Sequence, residues 1–292
     1  MALAAAADAG TRFQAIATIC VGVLFMVVND AMAKWLTEDY GALHIYAWRS
    51  MMALPMIAAM LLLTRGRKGF ATASVGVHAL RGLFAIAAAW CFFTSLRQLT
   101  LAGATSLVFA APLFITALSV LLLGEKVGWR RWSAVIVGFI GVLVIVRPGA
   151  ETFQAASLFA VGAAFFYALF MISARWIRRE EPMTTMMFYV SLFPLVYCAP
   201  VLVIDWQPVA LEHLPLFVGM ALFGTIGITM IGHAFRLAPA AIVAPFDYTA
   251  LLWATVLGFM FWGDLPDLWT YVGALIIIAS GIYIVLREAR AG

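Results

Sequence analysis

Six ionisable side chains lie within otherwise apolar sequence: Asp30, Lys34, Arg49, His233, Arg236 and Asp247. A charge at the centre of a bilayer costs several kcal/mol, about 2.5 to 3.5 on insertion scales, so each needs a partner or a task. Asp30 and Lys34 are four residues apart and share a helix face. That spacing suits an intrahelical ion pair, an outer gate or a contact to a ligand. Arg49 falls about one turn from the end of its run, from where it could snorkel to the surface. Asp247 lies eight residues past Pro239, roughly 12 Å along a helix at about 1.5 Å per residue. His233 and Arg236, across a short connection, are its expected partners. Such a cluster could gate, answer to protons or simply satisfy itself within the packing.

None of these residues forms a catalytic motif. A phosphate-binding Gly-x-x-x-x-Gly-Lys-Ser/Thr loop and a His-Glu-x-x-His pair are both missing from the sequence, so neither ATP-driven work by this chain nor zinc hydrolysis is expected. No nucleophile motif stands out. Cys20, Cys91 and Cys198 fall inside apolar runs, which supports neither a disulfide framework nor a metal site. No cofactor is expected. An intramembrane enzyme or a non-transporting scaffold is the alternative reading.

Aromatic residues supply a second kind of chemistry. Trp129, Trp132, Trp206, Trp262 and Trp269 sit at run ends and read as an interfacial belt. Trp90, Phe109, Tyr167, Tyr248 and Trp253 lie mid-run, where a Trp or Tyr needs a partner for its polar edge. Gathered around one point, these five would line an apolar cavity for an amphipathic small molecule, an aromatic or other apolar amino acid above all. The alternative is ordinary packing. Pro55, Pro112, Pro194, Pro200 and Pro245 each remove a backbone hydrogen bond within a run and so predict kinks that could act as hinges.

These residues must be positioned by a membrane bundle. The chain is 65% hydrophobic and 11% charged over 292 residues, against about 25% charged in soluble domains. Ten stretches approach the roughly 20 residues that cross a bilayer: 13–37, 43–64, 77–96, 101–123, 132–147, 154–177, 184–204, 214–236, 239–262 and 268–286. The first is too long for a signal h-region and reads as a retained span. With the N-terminus in the cytoplasm, fourteen of the eighteen lysines and arginines fall on the inner side, Arg65, Arg67, Lys68, Arg81, Lys126, Arg175, Arg178 and Arg179 among them. Lys34, Arg49, Arg97 and Arg147 fall on the outer side with Asp39, Glu151, Asp205, Asp264 and Asp267. This bias predicts ten helices with both termini cytoplasmic. The net charge of +4 belongs to loops and implies no nucleic acid.

The chain also repeats itself. A shift of 139 places Arg97 on Arg236, Gly124 on Gly263 and Glu125 on Asp264; a shift of 141 places Lys34 on Arg175. Five helices is an odd number, so the second copy must insert upside down. The expected fold is therefore all-α, two inverted five-helix repeats over residues 1–149 and 150–292, the plan of carriers whose halves rock about a midplane site.

Pro112-Leu113, Ser119, Leu123-Gly124-Glu125-Lys126, Gly138, Gly141 and Val146-Arg147-Pro148-Gly149 resemble the first-repeat signature of the drug/metabolite transporter superfamily, in its EamA-type ten-helix branch. Asn29-Asp30, Lys34 and Arg49 are similar to the family pattern as well. Gly263-Asp264 departs from the Gly-Glu of many members. The resemblance covers nearly the whole chain and extends to the YddG-type exporters of aromatic amino acids. It implies export or exchange of small metabolites, amino acids among them, through a bacterial inner (plasma) membrane. The partners expected are a small-molecule substrate and the lipid bilayer, with the chain working as a monomer.

Overall fold

In hydrocarbon every backbone N–H and C=O must be satisfied within the protein, which leaves a helical bundle as the outcome for ten apolar runs. The computed structural model describes residues 2–125, 127–149, 153–178 and 181–291, and these contain no strand. Lys126, Glu151, Arg179 and the expected repeat boundary at residue 150 lie outside the described residues. The spans are α1 (Thr11–Leu36), α2 (Ala42–Phe70), α3 (Val75–Leu96), α4 (Leu101–Leu123), α5 (Trp129–Val146), α6 (Ala156–Trp176), α7 (Met183–Ile204), α8 (Leu214–Leu237), α9 (Ala244–Trp262) and α10 (Leu268–Arg287). Each agrees with its sequence-based expectation to within a few residues, apart from the longer end of α2.

The packing list is symmetric. α1 lies along α8 and α3 along α6; α3 touches α7 and α2 touches α8; α4 reaches α6 and α9 reaches α1. α2 with α7, α4 with α9 and α5 with α10 complete the principal pairs. Exchanging every helix with the one five places away turns this set into itself. The self-paired helices run antiparallel. Near one end of α2, Trp48 Nε1 donates to the carbonyl of Gln207, just beyond α7; near the other, Thr185 Oγ1 donates to the carbonyl of Gly69 at 2.8 Å. An antiparallel pairing of equivalent helices is what a twofold axis in the membrane plane requires.

Small residues allow the closest contacts. A Cβ on Gly141 would lie 2.8 Å from the carbonyl oxygen of Gly273, and one on Gly273 would lie 2.6 Å from that of Gly141. Backbones this close gain dispersion without a hydrophobic driving force, which lipid cannot supply.

The repeat is visible in the caps. Gly124 and Gly263 both take left-handed backbone, φ 67° and 69°. Behind them, the Glu125 amide donates to the Ser119 carbonyl and the Asp264 amide to the Gly258 carbonyl. The same left-handed glycine closure thus recurs at equivalent positions. Both helices are also interrupted. α4 consists of Leu101–Val108 and Ala111–Leu123, with Pro112 in the first turn of the second piece. α9 begins as a 3-10 turn, Ala244–Tyr248, and becomes α-helical only from Thr249. Asp247 therefore sits in the 3-10 turn, near the start of the span. The physical reason is Pro245, which cannot continue a helix from the residues before it. Pro55 lies inside α2, and Pro194 and Pro200 inside α7.

Candidate functional site

Two adjoining cavities, of about 230 and 260 Å³, occupy the space between the halves. They share Met26, Tyr46, Arg49, Phe170, Val190 and Ile228 as walls, from α1, α2, α6, α7 and α8. The first adds Arg81, Met183, Met186 and Met187; the second adds Asn29, Asp30, Phe92, Phe93 and Tyr167. Most of this lining is apolar and polarisable, with three charged groups: Asp30, Arg49 and Arg81.

Arg49 points inward and does not snorkel. It lies eight positions into α2, its guanidinium carbon is 5.6 Å from the Tyr46 ring centroid, and its buried Nε has no partner. The end of the guanidinium rests against Gly224 of α8: a Cβ there would stand 2.6 Å from Nη2 and 3.0 Å from Asn29 Oδ1. Asp30 accepts from Asn29 Nδ2 at 2.9 Å. An acid and a base thus face one apolar space, an arrangement that can hold a carboxylate and an amino group while leaving room for an apolar body.

The ends of the bundle are closed by equivalent contacts. On the face carrying the α1–α2 connection, here face I, Lys34 Nζ donates to the carbonyls of Leu99 (2.8 Å) and Leu96 (3.3 Å) at the end of α3, with Asp264 at 3.9 Å. Lys34 therefore caps α3 and reaches α9 instead of pairing with Asp30. Arg97 Nη2 donates to the Tyr40 carbonyl at 2.9 Å. Tyr40 also receives the Ala210 amide and meets His213, and His44 Nε2 donates to the Asp205 carbonyl. Arg147 pairs with Asp267, which also accepts from the Thr270 amide at 2.9 Å and caps α10. Partial burial pushes the Asp267 carboxyl up, but the Thr270 hydrogen bonds and the Arg147 cation outweigh it and hold the group below the usual carboxylate value.

On the opposite face, face II, the symmetry mates recur. Arg175, equivalent to Lys34, pairs with Glu125, equivalent to Asp264. Arg236, equivalent to Arg97, reaches Met183 Sδ at 3.9 Å. The two pairs differ in burial: the Lys34 side chain is 11% exposed and that of Arg175 is 62%. The acidic partners Asp264 and Glu125 are each 35% exposed, so the difference lies in the basic side chains, of which Lys34, capping α3, is the better buried. Face II has its own well-buried link, where His78 Nε2 donates to a Glu181 carboxylate oxygen at 2.5 Å and Thr72 Oγ1 donates to the other.

Of the five aromatic residues expected to converge, Phe109, Tyr167 and Tyr248 gather near Asp247 and the two tryptophans lie apart. Tyr167 lines the second cavity. Phe109 and Tyr248 form an edge-to-face pair 4.9 Å apart, and Asp247 lies within electrostatic reach of Tyr167 and Tyr248. Trp253 packs against the core with its Nε1 buried and unpartnered. Trp90 is 41% exposed and turned against Phe159. Neither tryptophan is among the cavity walls described above. His233 and Arg236 are exposed, and among the described residues no ion pair joins either to Asp247. Arg81, counted with the inner-side cations on sequence, lies inside both the expected span 77–96 and the observed α3, and its side chain is buried against a cavity. Tyr46, Phe170 and the methionines carried no sequence signal, because apolar residues in an apolar run do not reveal which face meets a cavity.

Ten spans, doubled packing and a charged cavity between the halves describe a membrane carrier. The EamA-like transporter family matches this chain twice, over residues 13–147 and 154–287. The chain belongs to that family, and it is an integral, multi-pass transporter of small molecules rather than an enzyme. It is 30% identical to a riboflavin transporter of Vibrio cholerae over 93% of this chain and 92% of that one. It is 29% identical to an S-adenosylmethionine uptake transporter of Rickettsia bellii over 90% of each chain, and 25% identical to the pseudopaline exporter CntI of Pseudomonas aeruginosa over 88% and 90%. A solved crystal structure of 19% identity shares the fold, with a TM-score of 0.62 over 94% of this chain and 98% of the other. These relatives are bacterial, and helical bundles belong to the bacterial inner membrane, whereas the outer membrane holds barrels.

Proposed function

We propose that the chain carries amphipathic zwitterions, molecules with an amino group and a carboxylate on an apolar or aromatic body, by alternating access. Aromatic amino acids are the simplest members of this class; S-adenosylmethionine, named for the Rickettsia relative, shares the amino-acid head but adds a sulfonium cation and so lies outside it. The observation that carries the reading is the facing of Asp30 and Arg49 across a cavity walled by Tyr46, Phe93, Phe170 and methionines. The carboxylate would meet Arg49, the amino group Asp30, and the body the rings and thioethers. Equivalent contacts at the two faces supply gates that can open in turn. The breaks at Pro112 and Pro245 would let the α4 and α9 halves swing, so alanine at either position should slow turnover more than it weakens binding. Direction follows the gradients, since the cycle is reversible.

Counterflow in proteoliposomes tests the substrate class. L-Phenylalanine should compete with labelled L-tryptophan, while phenethylamine, lacking the carboxylate, and 3-phenylpropionate, lacking the amine, should each compete about tenfold or more weakly. That is the loss of one hydrogen bond to a charged group, about 1.5–3 kcal/mol. Riboflavin has neither group, and competition by riboflavin equal to that of phenylalanine would overturn the reading.

A further inference from the structure

Arg81 is 4% exposed and lines the first cavity beside Met183 and Met187. Its Nη1 donates to the Phe170 carbonyl at 2.9 Å, and its charge lies 4.3 Å from the Phe170 ring centroid. Both partners are neutral, and its buried Nε has none. Among the described residues no carboxylate forms an ion pair with Arg81. Glu181, which reaches α3 one turn away, is engaged by His78 and Thr72. The charged walls of the two cavities are Arg49, Arg81 and Asp30, so the lining of the empty site carries one net positive charge. A zwitterion bound at Arg49 and Asp30 is neutral and leaves that excess in place. A buried unpaired guanidinium is costly, and an anion brought by the ligand removes the penalty.

We infer that Arg81 is a second anion subsite, which selects amphipathic ligands carrying an additional acidic group beyond their amino-acid head. A third cavity, of about 390 Å³, meets the first at Met186 and is lined by Arg175, Arg178 and Glu181, the carboxylate being held by His78 and Thr72 and Arg175 paired with Glu125. It gives anions a positively charged approach from face II. The inference rests on the Arg49–Asp30 site proposed above, and the two are separable by experiment.

The test is calorimetry on the purified full-length protein with three probes of one skeleton: L-phenylalanine, 4-carboxy-L-phenylalanine and the 4-methoxycarbonyl analogue. The wild-type protein should bind the diacid about tenfold or more tightly than the neutral ester, as expected for one added charge-assisted contact. Arg81→Gln should erase that ratio, and Arg81→Lys should restore part of it. Should Arg81→Gln not fold, the wild-type comparison of diacid with ester decides alone. Equal wild-type affinity for diacid and ester, or a ratio unchanged in Arg81→Gln, overturns the Arg81 assignment while leaving the zwitterion site intact. Binding of none of the three probes overturns the zwitterion site, and the subsite falls with it.

Discussion

Gly224→Ala separates the binding site from the scaffold that holds it. The new methyl carbon would arrive 2.6 Å from Arg49 Nη2 and 3.0 Å from Asn29 Oδ1, too close for either to stay. Both contacts are the far ends of side chains, so they yield and the backbone need not. The strain falls at the lower end of the roughly 1–3 kcal/mol typical of overpacking. Alanine gains about 0.8–1.0 kcal/mol over glycine inside a helix, which nearly cancels it. Thermal stability should therefore change little. Binding should not be spared, because a displaced guanidinium loses a charge-assisted contact of about 1.5–3 kcal/mol, or roughly tenfold or more in KM. Gly227→Ala is the control: its methyl would meet the backbone oxygen of Gly22 at 2.9 Å, which cannot rotate away. That variant should lower Tm with little effect on KM in the fraction that folds. Substrate uptake in proteoliposomes and thermal unfolding in detergent measure the two quantities. An unchanged KM in Gly224→Ala, or a fall in Tm matching that of Gly227→Ala, would refute the reasoning.

Three further outcomes are expected. Lys34→Glu and Asp264→Lys should each impair transport and the double exchange should recover part of it, as should the pair Arg175→Glu with Glu125→Arg; failure of both exchanges to recover activity would show that the ion pairs do not gate. Asp267→Ala should cost about 1 kcal/mol at neutral pH, the worth of an N-cap. Because the folded carboxyl titrates below its unfolded value, this stability is present above the unfolded value and is lost as pH falls through the folded one, so the Tm gap between wild type and variant should close in acid. Cysteine placed at Asp205 or Glu212 should react with an impermeant maleimide from outside intact cells and cysteine at Arg178 only after permeabilisation; the reverse pattern would place the termini outside.

Much of this architecture was legible in the chain itself. Lipid leaves the backbone no partner but its own helix, so apolar run length alone set the ten spans, and the like charges at Lys34 and Arg175, Arg97 and Arg236, and Glu125 and Asp264 announced a duplication. Their meaning as equivalent contacts needed coordinates: Lys34 faces both Asp30 along its own helix and Asp264 across the bundle, and spacing favours the near partner. The cavity was less legible still. Asp30 and Arg49 drew attention because charge is rare in an apolar run, but Arg81, within a turn or two of the inner end of its expected span, was grouped with the inner-side cations, because position along a span does not tell a snorkelling arginine from one that turns into a cavity. Trp90 and Trp253 were grouped with Tyr167 by depth, which spacing along a span reveals, whereas the direction each side chain points around its helix depends on which neighbours press against it. Hydropathy in a bilayer is nearly uniform around a helix, because lipid and protein interior are equally apolar. The sequence therefore determined where the chain crosses and how it repeats, and only tertiary packing decided which faces enclose the cavity.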